Sequence, residues 1–438
     1  MNTVKKTILL LGDIAVLYGS LVIALILRYW DTTQLSERLA AHIVPFSALF
    51  PLWLLVVYLH DLYRYRSFRD SFWLFKKIAR VAAISISLSI IVLYLFPTFF
   101  ELTPKTNLLL FSILFLLLVQ LWRTIALHLF ASGKTRVVML GNSPLITETV
   151  AYLKKNPHAG YELVEWVDSV DASALQKLAT LVQSSHIHLV VIPQHLTKDL
   201  SMLRFIYQLL PLEVSLMRFS EFYEINFEKE PLKELDEGWF VENISTRRPF
   251  FDIAKRIFDI GVAILCTLIF LIPALLIAFL IAATSKGPII YSQKRTGKNG
   301  VAFTLYKFRT MNHNTGGALW TEANDSRITT FGKILRASHL DELPQLINIL
   351  NNTISFVGPR PERTELSLQY TQFPYYDIRH VVKPGLTGWA QVFYKPSASL
   401  EEAYEKLCYD VYYIKNRSFF LDLIIFLKTI KYLFTASL

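Results

Sequence analysis

An adjacent pair of acids, Asp341-Glu342, is the feature of this sequence best suited to phosphoryl chemistry. Pro344 is tolerated in the first turn of a helix and not later, so a helix is predicted to start near Asp341. Both carboxylates then lie at the positive end of the helix dipole, which favours their ionised form. An ionised aspartate is an oxygen nucleophile, and two carboxylates suit Mg²⁺ when phosphate oxygens complete its shell. Taken alone, the pair is more simply an N-cap followed by an ordinary first-turn acid.

Basic residues that could hold a diphosphate lie around this pair. Guanidinium groups bind phosphate bidentately and stabilise its charge during transfer. The candidate substrate-binding residues are Lys307, Arg309, Arg336, Pro359, Arg360 and Pro361. The alternative interpretation is a solvated cationic face, or side chains that grip lipid phosphate. His339 is interpreted as a hydrogen-bonded neighbour of the pair rather than an acid or a ligand.

The composition is that of a membrane protein with water-soluble mass attached. Of 438 residues, 53% are hydrophobic and 18% are charged, against about 45–50% and about 25% in an ordinary soluble chain. The net charge of +10 fits anionic lipid or a phosphorylated substrate. No basic block is longer than two residues, which argues against nucleic acid. Two cysteines exclude a disulfide scaffold and a four-cysteine zinc site.

The elements that must position these residues begin with a membrane domain, residues 1–130. Four apolar segments, 7–27, 43–59, 81–96 and 108–130, are each near the length of about 20 residues that crosses a bilayer. Arg123 interrupts the last of them. The loop between the second and third segments carries six basic residues, so the N-terminus and residues 131 onward are predicted to face the cytoplasm.

Residues 131–220 are predicted to form a small α/β module. Candidate strands at 136–140, 161–167, 188–192 and 213–217 alternate with helix-length stretches at 146–155, 172–184 and 198–210, which is typical of a parallel sheet. The module resembles a Rossmann-like nucleotide-binding domain, but Gly141 is followed by Asn142-Ser143-Pro144 where a dinucleotide site needs further glycines. A regulatory or structural role is favoured, with a regulatory nucleotide and homodimer contacts both left open. Residues 221–250 are charged and aperiodic and are predicted to be a linker.

The third part, residues 251–438, contains an uncharged run from 260 to 284 with Pro273 in its middle. A fifth crossing would put the following basic region outside the cytoplasm. A proline also removes a helix hydrogen bond. We therefore predict a re-entrant helix that bends near Pro273 and returns to the same face. Residues 419–434 are predicted to be an amphipathic helix on the membrane surface, with a core helix as the alternative.

Five strings in this third part occur in an order that is specific to one family. They are Lys294-Arg295-Thr296-Gly297, Lys307-Phe308-Arg309-Thr310, Arg336 through Asp341-Glu342 to Leu346, Gly358-Pro359-Arg360-Pro361-Glu362, and Lys383-Pro384-Gly385-Leu386-Thr387-Gly388. This set resembles the bacterial sugar transferase family, the polyprenyl-phosphate glycosyl-1-phosphate transferases. The order of four spans, α/β module and re-entrant, mainly helical catalytic domain resembles the large monotopic members. One departure is Ile272 before Pro273, where some members have Ser-Pro.

The resemblance implies a reaction and a location. A sugar-1-phosphate would pass from a UDP-sugar to polyprenyl (undecaprenyl) phosphate, with release of UMP, at the start of exopolysaccharide assembly. The implied mechanism has two steps through a covalent Asp341-phosphosugar, with Mg²⁺ at Asp341 and Glu342. The catalytic domain would lie on the cytoplasmic face of the bacterial inner membrane.

Two other classes of function are alternatives to this one. A non-enzymatic membrane scaffold for glycan assembly would carry the same spans without releasing UMP. A membrane nucleotide-sugar dehydratase needs a complete glycine fingerprint and a Tyr-x-x-x-Lys pair, and no tyrosine in this sequence has a lysine four residues later. No motif identifies the sugar.

Overall fold

The structure is a computed structural model that describes residues 3–30, 35–60, 62–63, 71–97, 105–131, 134–156, 160–169, 177–178, 180–182, 186–209, 214–311, 327–394 and 399–435. The chain divides into two compact units, Met1–Phe219 and Ser220–Leu438.

The first unit opens with four long apolar helices. They are α1 (Thr3–Tyr29), α2 (Leu35–Leu59), α3 (Ser71–Leu95) and α4 (Lys105–Ala131). Each segment predicted to be a span lies within one of them, apart from residue 96, which follows α3. Aromatic rings fill the interior of this bundle: the Trp53 ring lies 4.9 Å from both Phe111 and Phe115. The prediction of several apolar N-terminal helices is confirmed.

Arg123, the charge that interrupts the fourth segment, does not face the lipid side of the bundle. Its Nη2 donates to Asp13 Oδ2 of α1 at 2.6 Å, and both side chains are almost completely buried. A charge inside a span is tolerated when it faces the bundle interior and is paired. The ion pair therefore ties α4 to α1.

The rest of the first unit is a small parallel sheet with helices. Its elements are β1 (Thr135–Leu140), α5 (Pro144–Lys155), β2 (Tyr161–Val167), β3 (Leu189–Ile192), α6 (Leu200–Leu209) and β4 (Ser215–Arg218). The strand order is β2-β1-β3-β4, with every pair parallel. The small parallel sheet is thus confirmed. The predicted helix at 172–184 lies mostly outside the described residues.

The second unit is mainly helical and contains two short two-stranded sheets. Its elements are α7 (Phe219–Phe227), α8 (Glu237–Asn243), α9 (Pro249–Thr284), β5 (Ile290–Thr296), β6 (Ala302–Phe308), α10 (Thr330–Ala337), α11 (Gln345–Leu350), β7 (Ser355–Val357), α12 (Thr364–Tyr370), β8 (Gly385–Thr387), α13 (Trp389–Phe393), α14 (Leu400–Asn416) and α15 (Phe419–Thr435). Strands β5 and β6 form an antiparallel hairpin, and β7 pairs with β8 in parallel.

The segment predicted to be a linker, 221–250, is instead an ordered part of this second unit. Trp239 and Phe240 are buried in a core with Leu407 and Val411 of α14. The charges that suggested a solvated linker are paired, since Lys415 Nζ lies 2.6 Å from Glu224 and 3.2 Å from Glu230. Charge density in this segment therefore reflects ion pairing rather than exposure.

Helix α9 contains the uncharged run and passes through Pro273 as one helix of 36 residues. Before Pro273, Ala263 is fully buried against the core that includes Ile349 and Ile354. Near its end, Ile277 and Ile281 are buried in a different cluster of the same unit. The residues between are apolar and exposed, including Leu268, Ile269, Leu271, Ile272 and Leu275. Helix α9 thus packs on one unit on both sides of Pro273, while the stretch between Ala263 and Ile277 presents an exposed apolar surface.

The C-terminal helix α15 packs with one face into the core. Ile425 is completely buried there, whereas Phe419 and Phe420 are exposed. The inner face of α15 therefore belongs to the core, as the alternative interpretation predicted. Contact between its outer face and a membrane surface stays a prediction.

Candidate active site

The two acids lie in a tight turn between α10 and α11. His339 takes a left-handed backbone conformation, φ 55°, which turns the chain into a single 3-10 turn, Leu340–Glu342. Helix α11 then begins at Gln345, immediately after Pro344. The predicted helix therefore exists, but it starts after the acids rather than at Asp341, because the chain needs the extra turn to bring them beneath β6.

Asn348 joins α11 to β6, the strand that carries Lys307, through side-chain hydrogen bonds. Its Nδ2 donates to the Thr304 carbonyl at 2.7 Å, and its Oδ1 accepts from the Tyr306 N–H at 3.1 Å. The Asn348 side chain is almost completely buried. Because an amide side chain that is buried must satisfy both its ends, this pair of bonds fixes the register of α11 against β6.

Glu342 is the anionic centre of the site. Its Oε1 accepts from Lys307 Nζ at 2.6 Å and from Arg360 Nη2 at 3.1 Å. Burial opposes ionisation of this carboxyl group, but the charges of Arg360 and Lys307 outweigh it and lower the pKa of Glu342 to about 2. Glu342 is therefore a permanent carboxylate that holds two cations at one point.

Asp341 has a different environment from its neighbour. It is 8% exposed, and none of the described residues donates a hydrogen bond to its carboxylate. Burial raises the pKa of Asp341, and the nearby Lys307 charge only partly offsets that effect. The structure thus places one carboxylate, which contacts two cations through a single oxygen, beside a second that accepts no hydrogen bond from the described residues.

The Pro359-Arg360-Pro361 loop is held by its backbone carbonyls. Gly385 N–H donates to Pro359 O at 2.9 Å, Arg379 Nη2 to Arg360 O at 2.9 Å and Arg295 Nη1 to Pro361 O at 3.0 Å. Gly385 must lack a side chain, since a Cβ there would lie 2.1 Å from the backbone N of Gly358. The loop is therefore fixed on both sides of Arg360.

A buried network behind the loop was not found by sequence reasoning. Arg379 Nη2 also donates to Asp410 Oδ2 at 2.9 Å, and Arg379 Nη1 lies 3.7 Å from Glu362, which Lys406 approaches to 3.5 Å. Glu362 closes the Gly358-Pro359-Arg360-Pro361-Glu362 string, so its place in that string was the available signal, whereas Asp410 lies outside the five strings.

The start of the membrane helix α9 supports both halves of the site. Arg256 donates to the carbonyls of Ile349 and Leu350 at 2.7 and 2.8 Å, which caps the C-terminus of α11. Asp259 accepts from the Phe356 N–H at 3.2 Å, at the strand that leads into the Arg360 loop. Two side chains one turn apart on α9 therefore hold the acid-bearing and arginine-bearing segments.

Two of the predicted substrate-binding arginines have other partners in this structure. Arg309 donates to the carbonyls of Ser285 and Pro288 and to the Ser285 hydroxyl, which secures the end of α9. Arg336 donates through Nε to Thr310 Oγ1 at 2.9 Å. The structure brings Lys307, Arg360 and the two acids together, while direct substrate contact by Arg309 and Arg336 stays a prediction.

Replacement of Glu342 by glutamine is expected to destabilise the protein in a pH-dependent way. The folded-state pKa of about 2 lies below the ordinary 4.5, so the ionised carboxylate contributes about 3 kcal/mol above about pH 5, and this contribution is lost as the pH falls towards 2. Denaturant unfolding in detergent at pH 7 should show that loss, and the difference from the wild type should shrink at pH 4. The exposed Glu365→Gln is the matched control. An unchanged or pH-independent difference contradicts the ion-pair geometry.

The described residues include five apolar helices long enough to cross a membrane, which indicates a membrane protein, and its acid pair lies beside Lys307 and Arg360. Residues 250–436 match the sequence model of the bacterial sugar transferase family.

Three curated relatives extend this match. A UDP-N-acetylgalactosamine-undecaprenyl-phosphate N-acetylgalactosaminephosphotransferase of Aeromonas hydrophila is 40% identical over 191 residues, 43% of this chain and 45% of that protein. UDP-glucose:undecaprenyl-phosphate glucose-1-phosphate transferases of Klebsiella pneumoniae and Escherichia coli (strain K12) are each 31% identical, over 322 and 308 residues. Those matches cover 68% and 69% of this chain and 68% and 65% of the relatives. The chain belongs to the bacterial sugar transferase family and is thereby a transferase, as the sequence predicted.

Proposed function

We propose that this protein transfers a sugar-1-phosphate from a UDP-sugar to polyprenyl phosphate, releasing UMP, as the first step in assembly of a cell-surface polysaccharide. The observation that carries the proposal is the available Asp341 carboxylate beside a Glu342 that gathers Lys307 and Arg360. A diphosphate donor needs cations at its phosphates and a nucleophile at the phosphorus to be attacked. The relatives, whose names specify UDP-sugars and undecaprenyl phosphate, support the same substrate classes.

The proposed reaction has two displacements at one phosphorus. In the first, an Asp341 oxygen attacks the phosphorus attached to the sugar, and the bond to the bridging oxygen breaks with its electron pair leaving on UMP. In the second, a phosphate oxygen of the polyprenyl phosphate attacks the same phosphorus and displaces the Asp341 carboxylate. Lys307 and Arg360 bind the phosphate oxygens throughout, and Glu342 keeps both cations charged and in place. A covalent intermediate suits substrates of opposite solubility, since they need never meet.

Mg²⁺ is part of this proposal, and the donor set fits it. No group of three His, Cys, Asp or Glu side chains that could enclose a metal occurs in the described part of the chain. Mg²⁺ typically takes one or two carboxylates and completes its shell with water and phosphate oxygens. Asp341 has free oxygens, and Glu342 has one oxygen that the cations do not occupy, so this pair would hold the ion. When bound, the ion would neutralise charge on the diphosphate.

The membrane arrangement proposed is a re-entrant α9 with the catalytic unit on the cytoplasmic face of the bacterial inner membrane. The packing of Ala263 and of Ile281 on one unit supports it, because a straight helix would separate these two residues by about 27 Å, nearly the thickness of a bilayer core of about 30 Å. The exposed apolar stretch between them is the part that lipid would cover. The basic loop between the second and third predicted spans supports the cytoplasmic orientation.

The α/β module is proposed to be Rossmann-like without a dinucleotide site. The order β2-β1-β3-β4 occurs in doubly wound nucleotide-binding folds. At the first strand-to-helix turn, however, the Ser143 hydroxyl takes the Ile146 N–H and Pro144 has no N–H to donate. Two of the donors that would hold a phosphate are thus absent, which supports a regulatory or structural role, and homodimer contacts remain part of that proposal.

The deciding experiment supplies the purified full-length chain with undecaprenyl phosphate, Mg²⁺ and a panel of UDP-sugars. We expect UMP release with one member of the panel, matched by a polyprenyl-diphosphate-sugar in the mass spectrum. Omission of the lipid should leave a single equivalent of UMP released per protein. A scaffold that only positions other enzymes releases none with any donor, and that result would overturn the proposal.

A further inference from the structure

Three cations lie near the start of α9. Arg256 is on α9 itself, Lys298 is in the turn between β5 and β6, and Lys383 comes shortly before β8. Burial, followed by the positive charges of Arg256 and Lys298, lowers the pKa of the Lys383 ammonium group. Lys383 therefore lies close to two other cations.

No carboxylate within the described part of the chain forms an ion pair with any of these three cations. The two acids whose charges also reach Lys383 have other partners. Asp252 lies 3.5 Å from Arg417, and Asp259 accepts from the Phe356 N–H. A group of cations without an acid among them attracts an anion.

The three side chains also keep hydrogen-bond donors that the protein does not use. Lys383 Nζ donates to Asn352 Oδ1, which occupies one of the three donors of an ammonium group. Arg256 donates two of its five N–H groups to the carbonyls at the end of α11. Lys298 is exposed, and none of the described residues accepts from it. Because phosphate oxygens accept several charged donors at once, the cluster suits a phosphate group.

Exposed apolar side chains border these cations. Ile253 and Ile257 lie on either side of Arg256 along α9 and are 62% and 68% exposed. Leu350, whose carbonyl Arg256 binds, is also exposed, as is Ile347 one turn earlier on α11. This combination matches the boundary between lipid headgroups and acyl chains, where basic side chains reach phosphates while apolar ones contact the chains.

The acceptor lipid of the proposed reaction is a different ligand, because its phosphate must reach Asp341. Asp341 precedes the first residue of α11, whereas Arg256 binds the carbonyls of its last turn. Helix α11 has six residues and is about 9 Å long. One phosphate group cannot contact both places, so the ligand of the cluster is a lipid that does not react.

We propose that Arg256, Lys298 and Lys383 bind the phosphate of an anionic glycerophospholipid such as phosphatidylglycerol, with its acyl chains against Ile253 and Ile257. The bound headgroup would hold the start of α9 at the depth of the lipid phosphates. It would also stabilise the guanidinium that caps α11. The inference is independent of the proposed reaction, since it concerns a lipid that is not consumed.

The test is native mass spectrometry of the full-length protein in detergent, titrated with phosphatidylglycerol. Lys298→Gln and Lys383→Gln should each weaken binding by about fivefold, and the double variant by about 25-fold, because each removes one cation from an anionic headgroup. Zwitterionic phosphatidylcholine should bind more weakly and equally to all variants. Lys286→Gln, an exposed lysine just after the other end of α9, is the matched control and should bind phosphatidylglycerol as the wild type does.

Other outcomes overturn the inference. An equal loss in Lys286→Gln would leave only general attraction between a basic surface and acidic lipid. Displacement of the lipid by an equal concentration of inorganic phosphate would make the cluster a site for a free anion. A raised KM for undecaprenyl phosphate in Lys298→Gln would assign the cluster to the acceptor. Lys298 lies in an exposed turn, so its variant keeps the test decisive even if Lys383→Gln does not fold.

Discussion

Replacement of Asp341 by asparagine is expected to lower UMP release by at least about three orders of magnitude, because the amide oxygen is a poor nucleophile and a poor leaving group. Size and shape are nearly unchanged, so the fold should persist. Incubation of the wild type with a labelled UDP-sugar and no lipid should leave one labelled phosphosugar on the protein, and the variant should carry none. Mass spectrometry of the intact protein gives both results.

The exposed Asp377→Asn is the control for this experiment, because it makes the same chemical change away from the site. A variant at position 341 that still releases UMP at the wild-type rate would remove the residue from its role. The acid limb of the pH–rate profile is a second check. Since burial raises the pKa of Asp341, the rate should begin to fall at a higher pH than an ordinary aspartate would give, as the carboxylate is protonated.

Replacement of Arg379 by methionine is expected to destabilise the second unit by about 3–5 kcal/mol, the usual cost of leaving a buried charge without its partner. Asp410 is 3% exposed and loses the guanidinium at 2.9 Å, and Glu362 loses one of its two cations. The Arg360 carbonyl is freed at the same time. Denaturant unfolding should show the loss, and activity should fall even where the protein remains folded.

A double variant separates the ion pair from simple loss of packing. Adding Asp410→Asn to Arg379→Met removes the unpaired anion, so it should restore part of the free energy of unfolding. Arg379→Lys keeps the charge but not the planar set of donors, and it should lie between the wild type and Arg379→Met. The exposed Arg247→Met is the control. Additive losses in the double variant would contradict the coupling of Arg379 to Asp410.

The turn that carries Asp341 and Glu342 shows which features cannot be predicted from neighbouring residues alone. Pro344 correctly placed a helix start nearby, because the restriction that proline puts on a helix is local. The left-handed His339 and the 3-10 turn before α11 were not predicted. Their cause is non-local, since Asn348 must reach Thr304 and Tyr306 while Lys307 reaches Glu342.

The segment from 221 to 250 is a second case in which local sequence rules fail, because here they predicted too little structure. Its charges predicted a solvated linker, yet Glu224 and Glu230 pair with Lys415, which lies far along the chain on α14. Whether a charged residue faces water or a partner depends on what the rest of the chain brings against it. No local pattern contains that information.

By itself the sequence determined the apolar helices, the small parallel sheet, the family and the acid pair, because hydrophobic periodicity and short motifs are properties of neighbouring residues. Only the tertiary structure decided which cations meet Glu342, why Arg379 and Asp410 matter to Arg360, and that Arg256 and Asp259 of a membrane helix hold both halves of the site. These contacts join residues that lie between about 20 and about 100 positions apart, and their pairing depends on how the whole unit packs.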